Sequence, residues 1–465
     1  MTYATFFETF VVRWPLDCAI LKYRRKYSVH SARKNTTGAQ SQGDLSMTTQ
    51  AARSIGIVGA GIIGVQLARD LQRRGLHVTL FDGRDPGMAT SFGNAGYLAT
   101  DEIFPLAHGA VLRSLPRMLL NPIGPLVMRW KEFPRLLPWY VKYLRACSGP
   151  RARHSINALA NLQRTAAADW KNVVALEHLH DLVLSNGAMT VFETDQAFRR
   201  TQLQRAVQLE YGINWQSLSG DAARDKVPEL SAKIRHAVVY PAGMHVTNPY
   251  AVTKKIFDRF LNDGGTFIRA NVEQIERSGR RLSDLTADGQ RHPFDSMIVC
   301  TGHLSGRLLK PLNYKVPIVA ERGYHVEMSH AETRLNCPVG SSERGFYVTP
   351  MSTGLRLAGT TEFSSADHDE PPTWGRADIL KRHVAELMPG LAEQETGRWM
   401  GHRPTMPDFL PVLGSVADCD NLFLAFGHHH LGLTLSAVTA RLLGDLVVGT
   451  KEAADLTPFS LDRFQ

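Results

Sequence analysis

The chain is short of cysteine, of charge and of long apolar runs. It has 5 cysteines in 465 residues, and no two of Cys18, Cys147, Cys300, Cys337 and Cys419 form a C-x-x-C pair. An odd, scattered set excludes a disulfide scaffold, argues against a structural zinc site and fits a reducing compartment. No uninterrupted run of about 18 apolar residues occurs, so a spanning helix is not expected. Charged residues make up 21% of the chain against 43% hydrophobic, which excludes global disorder. The length suits two or three folded units or one large two-part enzyme.

The charge that is there is uneven. Residues 1–46 hold Arg13, Lys22, Arg24, Arg25, Lys26, Arg33 and Lys34 against Glu8, Asp17 and Asp44, and so carry +4 of the net +9. Glu8, Arg13 and Asp17 interrupt the apolar stretch of a would-be secretory signal, and Met47 stands just before the first folded element. Residues 1–53 read as a basic extension that is disordered, targeting or upstream of the true start.

Residues 54–58 read as a buried strand, followed by Gly59-Ala60-Gly61-Ile62-Ile63-Gly64 and a helical apolar pattern at Val65, Leu67, Ala68 and Leu71. Gly75 ends that helix, and residues 76–81 read as a second strand closed by Asp82. Strand, glycine turn, helix, strand and acid within about 30 residues predict a dinucleotide site. Gly59 makes the turn, Gly61 admits the pyrophosphate and Gly64 lets helix and strand approach, while Asp82 accepts from the ribose hydroxyls. NAD and FAD both remain open on this motif alone.

Later segments extend the same domain. Residues 294–298 lead into Val299-Cys300-Thr301-Gly302, read as its last parallel strand; residues 249–261 read as a helix, and 266–268 and 272–275 as strands. Residues 421–426 form another strand before Gly427-His428-His429-His430-Leu431-Gly432-Leu433-Thr434 opens a helix running through Val448. A sheet closed by a C-terminal helix is hard to fit to a simple NAD domain.

Several motifs in order carry a resemblance. Ser91-Phe92-Gly93-Asn94-Ala95-Gly96 resembles the flavin-contacting loop of the D-amino-acid oxidase superfamily. So do Arg322-Gly323-Tyr324, Gly359-Thr360-Thr361-Glu362, the run Gly401–Asp408 with Pro411-Val412-Leu413-Gly414, and the terminal Gly427–Thr434. The match covers about residues 54–450 and is most similar to bacterial D-amino-acid dehydrogenases of the small-subunit type. It implies an α/β, two-domain fold: a discontinuous Rossmann-like FAD-binding domain (54–101, 247–303 and 401–450) with an inserted antiparallel-sheet substrate or cap domain (102–246 and 304–400) and a tail at 451–465. The implied cofactor contacts are Gly59, Ala60, Gly61, Ile62, Ile63, Gly64, Asp82, Ser91, Asn94, Ala95, Gly96, Val272, Thr301, Gly302, Gly427, His428, Leu431, Gly432, Leu433 and Thr434. Non-covalent FAD is expected, because no cysteine falls within the Arg403 or Gly427 signatures. The chain departs from the family where His429 and Phe409 stand at positions often held by glycine, and Phe409 and His402 are expected to line or crowd the site.

The resemblance implies an amino acid bound by its carboxylate. Arg403, held between glycine and proline neighbours, offers a fork that matches a carboxylate and that lysine cannot copy. Tyr324 and Tyr347 are second candidates for that carboxylate, weighed evenly against buried aromatic packing. A neutral amine pushes electrons toward the breaking Cα–H bond, so no dedicated base is required. The N–H groups near Leu431–Thr434 can meet charge gathering on reduced flavin. Three consecutive histidines point in different directions, so no metal is expected at His428–His430.

The segment 104–144, with Arg145 just beyond it, alternates Trp130, Trp139 and Tyr140 with Arg129, Lys131, Arg135 and Lys142. A helical cap with its basic side in water is favoured over a face lying on an anionic membrane. Residues 157–176 read as a long amphipathic helix. The expected activity is oxidative deamination of D-amino acids to 2-oxo acids and ammonia. Its electrons are expected to go to a quinone or other carrier. The expected location is the cytoplasm, with peripheral contact at the inner face of the membrane as a further possibility. A glycine, sarcosine or cyclic imino acid (hydroxyproline-like) oxidase or dehydrogenase is the alternative. A flavoprotein module of RNA modification would need an RNA-binding fold, which is not read here, so no nucleic-acid partner is expected.

Overall fold

The computed structural model describes residues 53–106, 126–329, 335–366, 370–391, 394–450 and 454–465. The expected extension 1–53, apart from Arg53, lies outside the described residues, as do 107–125 of the aromatic, basic segment and 451–453 of the tail.

The expected strand–turn–helix–strand unit is present. Ser54–Val58 runs into the helix Ile62–Arg73, Gly75 turns the chain at φ 85°, and His77–Asp82 returns parallel to the first strand. The sheet has six strands, in the order Thr266–Arg269, His77–Asp82, Ser54–Val58, Ser296–Val299, Cys419–Phe426 and Val412–Val416. All neighbours are parallel except the final pair. The reading of 294–298 as the last parallel strand therefore needs correction. Ser296–Val299 is fully buried and lies inside the sheet, and Cys419–Phe426 is the last parallel strand. Pairing across more than 100 residues leaves no mark in a local apolar pattern.

Helix Gly432–Val448 packs on Ile62–Arg73 and on a 29-residue helix, Gly149–Glu177. That long helix begins earlier than residue 157, because a proline in its first turn needs no N–H partner there. Leu159, Leu162, Ala166 and Trp170 share one buried core with Ile55, Leu67 and Val438. The Trp170 indole N–H donates to Leu433 O at 3.1 Å, tying this helix to the loop that opens Gly432–Val448. The segment His429–Val448 is apolar and long enough to cross a membrane, but 67% of its most apolar 18 residues are buried inside the protein, as befits a core helix.

A second, nine-stranded sheet carries Glu395–Thr405, Val319–Met328, Gly354–Ser364 and Phe346–Met351 as consecutive antiparallel neighbours. Val339–Ser341 pairs parallel with Ala188–Phe192, and Leu126–Met128 parallel with Gly354–Ser364, so the sheet is mixed although mostly antiparallel. The two sheets are stitched together at the Ser91–Gly96 loop. Arg356, buried and paired with Glu327, donates to Asn94 O at 2.6 Å and Phe92 O at 3.2 Å, and His325 bonds Gly93 O at 3.0 Å. The tail docks as well: Arg463 pairs with Asp408 at 2.8 Å and donates to Leu410 O and Pro411 O.

Candidate active site

A cavity of about 1540 Å³ lies between the two sheets, large enough for a dinucleotide and a small substrate together. One wall is the glycine turn. Gly59 sits at φ 107°, and a Cβ there would stand 2.5 Å from Cys300 O. A Cβ on Gly64 would stand 1.9 Å from Gly59 O, which is why helix and turn approach so closely. A Cβ on Gly61 would meet only Ser91 Oγ, at 3.2 Å, and would otherwise enter the cavity. The three glycines thus stand where backbone turn, helix packing and ligand approach each need them.

Gly59, Gly61, Ile62, Ile63 and Asp82 line the cavity, as do Ser91, Asn94 and Ala95. Val272, Thr301, Gly302, Gly427, His428, Gly432 and Leu433 line it too. Five expected contacts stand behind the surface. Ala60 N–H donates to Asp82 Oδ2 at 2.8 Å, Gly64 packs the helix, Gly96 N–H donates to Asn94 Oδ1, Leu431 is in the core, and Thr434 Oγ1 accepts from Ala99 N–H. Ser91 Oγ accepts from Ile62 N–H at 3.0 Å, marking the end of the helix where free N–H groups gather.

The facing wall is built by strand register. Val319–Met328 and Glu395–Thr405 set Glu321 opposite Arg403 and Gly323 opposite Gly401. Arg403 Nη1 donates to Glu321 Oε1 at 2.8 Å and to Thr361 Oγ1 at 3.2 Å, and Thr405 Oγ1 donates to Glu321 Oε2 at 2.9 Å. Burial raises the Glu321 carboxyl, but Arg403 and the hydroxyl donors outweigh it and hold it below the ordinary range. The guanidinium lies over Gly323, where a Cβ would come within 2.4 Å of it. Nε and Nη2 make no hydrogen bond among the described residues, and the side chain faces the cavity. One edge of the fork is pinned and the other is open.

Tyr324 lines the same wall, but its hydroxyl donates to Glu362 at 2.7 Å and accepts from Thr373 N–H at 3.1 Å, so both of its functions are engaged within the protein. Tyr347 lies on Gly340 at the far end, its ring 5.3 Å from that of Tyr97. There Tyr97 donates to Asp101, and Glu102 reaches the cavity with its carboxyl pushed up to about 8 by burial and by Asp101.

Sequence reasoning missed several residues of this wall. Thr360 is the extra residue of a bulge between Gly323/Thr361 and Tyr324/Gly359. It holds φ 52°, costly for a β-branched residue, and its buried Oγ1 has no partner. Trp399 lies flat where a Cβ of Gly93 or Gly401 would be, at 2.0 and 1.8 Å. His402, which the sequence did place at the site, lines the cavity, and the unforeseen His303 faces it across 4.8 Å, pushed down to about 3 by burial.

His428 turns away from its neighbours, while His429 and His430 meet Nδ1 to Nδ1 at 3.1 Å. His428 bonds Thr439 Oγ1 at 3.1 Å, His429 packs on Phe409 at 5.5 Å, and His430 faces Arg403 and Glu321. Burial pushes His428 down to about 3 and His430 to about 4, so both are neutral near pH 7. Phe409 and His429, the two departures from glycine, both occupy the left-handed region, at φ 56° and 42°.

A bound FAD fits these walls. The glycine turn leaves backbone room, Asp82 is at hand, and Thr360 Oγ1 and His429 Nε2 are buried at the cavity without partners. A family model described as FAD dependent oxidoreductase matches residues 54–446. A D-amino-acid oxidase of Bradyrhizobium diazoefficiens is 32% identical over 419 residues, 89% of this chain and 99% of that protein. A D-amino acid dehydrogenase of Allorhizobium ampelinum is 26% identical, over 88% of this chain and 98% of that protein. The crystal structure of glycine oxidase from Geobacillus kaustophilus superposes with a TM-score of 0.71 at 21% identity, covering 89% of this chain and all of that one.

Proposed function

The chain belongs to the family of FAD-dependent oxidoreductases, and from that premise we propose that it oxidises D-amino acids to imino acids, which water converts to 2-oxo acids and ammonia. The observation that carries this reading is Arg403, pinned by Glu321 and Thr361 on one edge and open to the cavity on the other. A guanidinium so fixed presents Nε and Nη2 to a carboxylate without first losing rotamer freedom.

Bound FAD supplies the acceptor for the α-hydrogen as hydride. The chain holds the substrate and tunes its surroundings. Arg403 takes the carboxylate, and Glu321 keeps Arg403 in place while balancing its charge. Neutral His428 and His430 add no positive charge beside the substrate amine, which favours its reactive neutral form. The start of helix Gly432–Val448 reaches the cavity at Gly432 and Leu433, where N–H groups stabilise negative charge. Tyr324 acts as packing with a satisfied hydroxyl, and Tyr347 shapes the far end with Tyr97.

Non-covalent FAD is supported by burial of Cys300, the cysteine at the cavity wall, whose thiol is pushed up and kept un-ionised. We assign the electrons to a quinone or other carrier rather than oxygen, with peripheral contact at the membrane where such a carrier is met. The oxidase reading has its own support in the relative named D-amino-acid oxidase. The test is a panel of D- and L-amino acids, with glycine, sarcosine and cyclic imino acids, run with an artificial dye and with oxygen. D-amino acids reducing dye much faster than oxygen is the expected result. Oxygen consumption as fast as dye reduction makes it an oxidase, and preference for glycine, sarcosine or a cyclic imino acid moves the substrate class.

A further inference from the structure

Helix Phe133–Ala146 has two apolar faces, and only one is used. Leu136, Trp139 and Tyr143 are buried with Val319 and Phe409, and the Trp139 and Tyr143 rings stack 5.4 Å apart. Phe409 continues this contact to His429 at the cavity wall. That inner face is the expected cap.

The outer face carries Pro134, Leu137, Val141 and Leu144, at steps of three, four and three, so they form a single line along the helix, and Trp130 stands in the turn just before it. Trp130 is 70% exposed, Leu137 46%, Val141 40% and Leu144 49%. A helix whose outer side meets only water carries polar residues there. Beside this line, one residue further along, run Arg135, Lys142 and Arg145, and Lys131 follows Trp130 in the turn. Lys131, Arg135 and Arg145 are exposed, and Lys142 leans over the Phe464 ring at 5.7 Å. Glu132, the one acid between residues 130 and 146, is buried and meets Arg135 Nη1 at 3.7 Å, so it offsets part of the row.

An exposed apolar line flanked by a basic row suits two occupants. A second copy of the chain related by a two-fold axis brings the same patch against itself, so basic row approaches basic row. An anionic bilayer supplies acyl chains for the apolar line and counter-charge for the row. We propose that the face Trp130–Leu144 lies on an anionic lipid bilayer and sets this wall of the cavity next to the membrane. The inference deepens the reading that electrons leave for a membrane carrier and rests on that reading for its purpose; its geometry stands on the helix alone.

The test is co-sedimentation of the full-length holoprotein with vesicles of phosphatidylcholine, with and without about one third phosphatidylglycerol. Wild type is expected to sediment with the anionic vesicles at low salt and to be released as salt rises, since screening shortens the reach of the basic row. The double variant Leu137→Glu/Leu144→Glu alters exposed positions away from the cavity. It is expected to lose about tenfold or more in vesicle binding while reducing dye in solution at the wild-type rate. The pair Lys131→Glu/Arg145→Glu is expected to do the same on anionic vesicles. Equal sedimentation of wild type and the leucine variant overturns the proposal, because another segment then binds the lipid. So does absence of wild-type binding at low salt, and so does a dimer in analytical ultracentrifugation that the leucine variant abolishes. Oxygen uptake as fast as dye reduction strikes the acceptor reading, and the vesicle result is read separately from it.

Discussion

The two walls of the cavity are made in different ways. The glycine wall comes from one stretch, Gly59–Gly64, with Asp82 about twenty residues on, and its geometry is backbone geometry. The arginine wall comes from three strands: Glu321 on Val319–Met328, Thr361 on Gly354–Ser364 and Arg403 on Glu395–Thr405. The first wall is exacting above all about space. The second is exacting about charge, because a buried carboxylate is tolerable only while its partner stays in place. Substitutions in the first should therefore act on cofactor content and in the second on catalysis.

The largest effect is expected from Gly61→Val. The new side chain points into open cavity, so the fold survives with a nearly unchanged apoprotein melting temperature, while the backbone can no longer approach a pyrophosphate. Purified variant should be colourless, and acid release should yield essentially no FAD where wild type yields it. Normal flavin content would show that the turn does not hold the cofactor.

Arg403→Lys comes next. It keeps the charge and loses the fork, at about 2–4 kcal/mol, so kcat/KM falls roughly 30- to 1000-fold with FAD content unchanged. Glu321→Gln keeps the shape and removes the charge that pins Arg403; we expect a loss of about tenfold, mostly in KM, since the carboxylate clamp loosens. Steady-state kinetics with dye and flavin absorbance, measured together, separate these from the Gly61 variant. If Glu321→Gln lost its flavin instead, the division between the walls would collapse.

Acid should act through buried neutral histidines. His303, His325 and His428 are held at about 3 and His430 at about 4, chiefly by burial. Below the ordinary value of about 6.5 the unfolded chain takes up protons that the folded chain refuses, so their contribution is present above that value and is lost as pH falls toward 4. Thermal melts of the apoprotein should drop by several degrees between pH 6.5 and 4.5 in step with proton uptake on unfolding. A flat profile across that window would mean these rings are charged in the fold.

The smallest effect is expected from Tyr324→Phe. It strips a hydroxyl bound to Glu362 and Thr373, costing about 1–2 kcal/mol of stability, or a melting temperature lower by about 1–2 °C. kcat/KM should stay within about threefold of wild type. A large rise in KM would return Tyr324 to the carboxylate.

Some of this was legible in local residues. The turn Gly59–Gly64, the closing Asp82 and the long helices each have a period or a spacing that shows within 10 to 30 residues. Arg403 stood out through its neighbours and its fork. Glu321 was invisible, because a glutamate in a strand that also holds Arg322, His325 and Glu327 has no mark until register sets it against Arg403. Thr360 was equally silent, since its strain comes from a bulge that exists only when two strands pair. Trp399 explains Gly93 and Gly401 only once the indole is seen lying on both. The basic, aromatic segment was legible as amphipathic, but not as a helix with one apolar face buried and another exposed.

What the sequence by itself determined is the chemistry that depends on short-range order. Glycines at Gly59, Gly61 and Gly64 permit a turn that no other residues permit, and the resemblance of the ordered motifs carried the fold class and FAD. What only the tertiary structure decided is which side chains meet. It pinned one edge of Arg403 and left the other open, closed the Tyr324 hydroxyl against Glu362, and set the last parallel strand beside Ser296–Val299. The physical reason is range. Turn and helix preferences act over a few residues, whereas an ion pair or a strand register acts between segments that tens to hundreds of residues separate, and its energy appears only after the chain has brought them together.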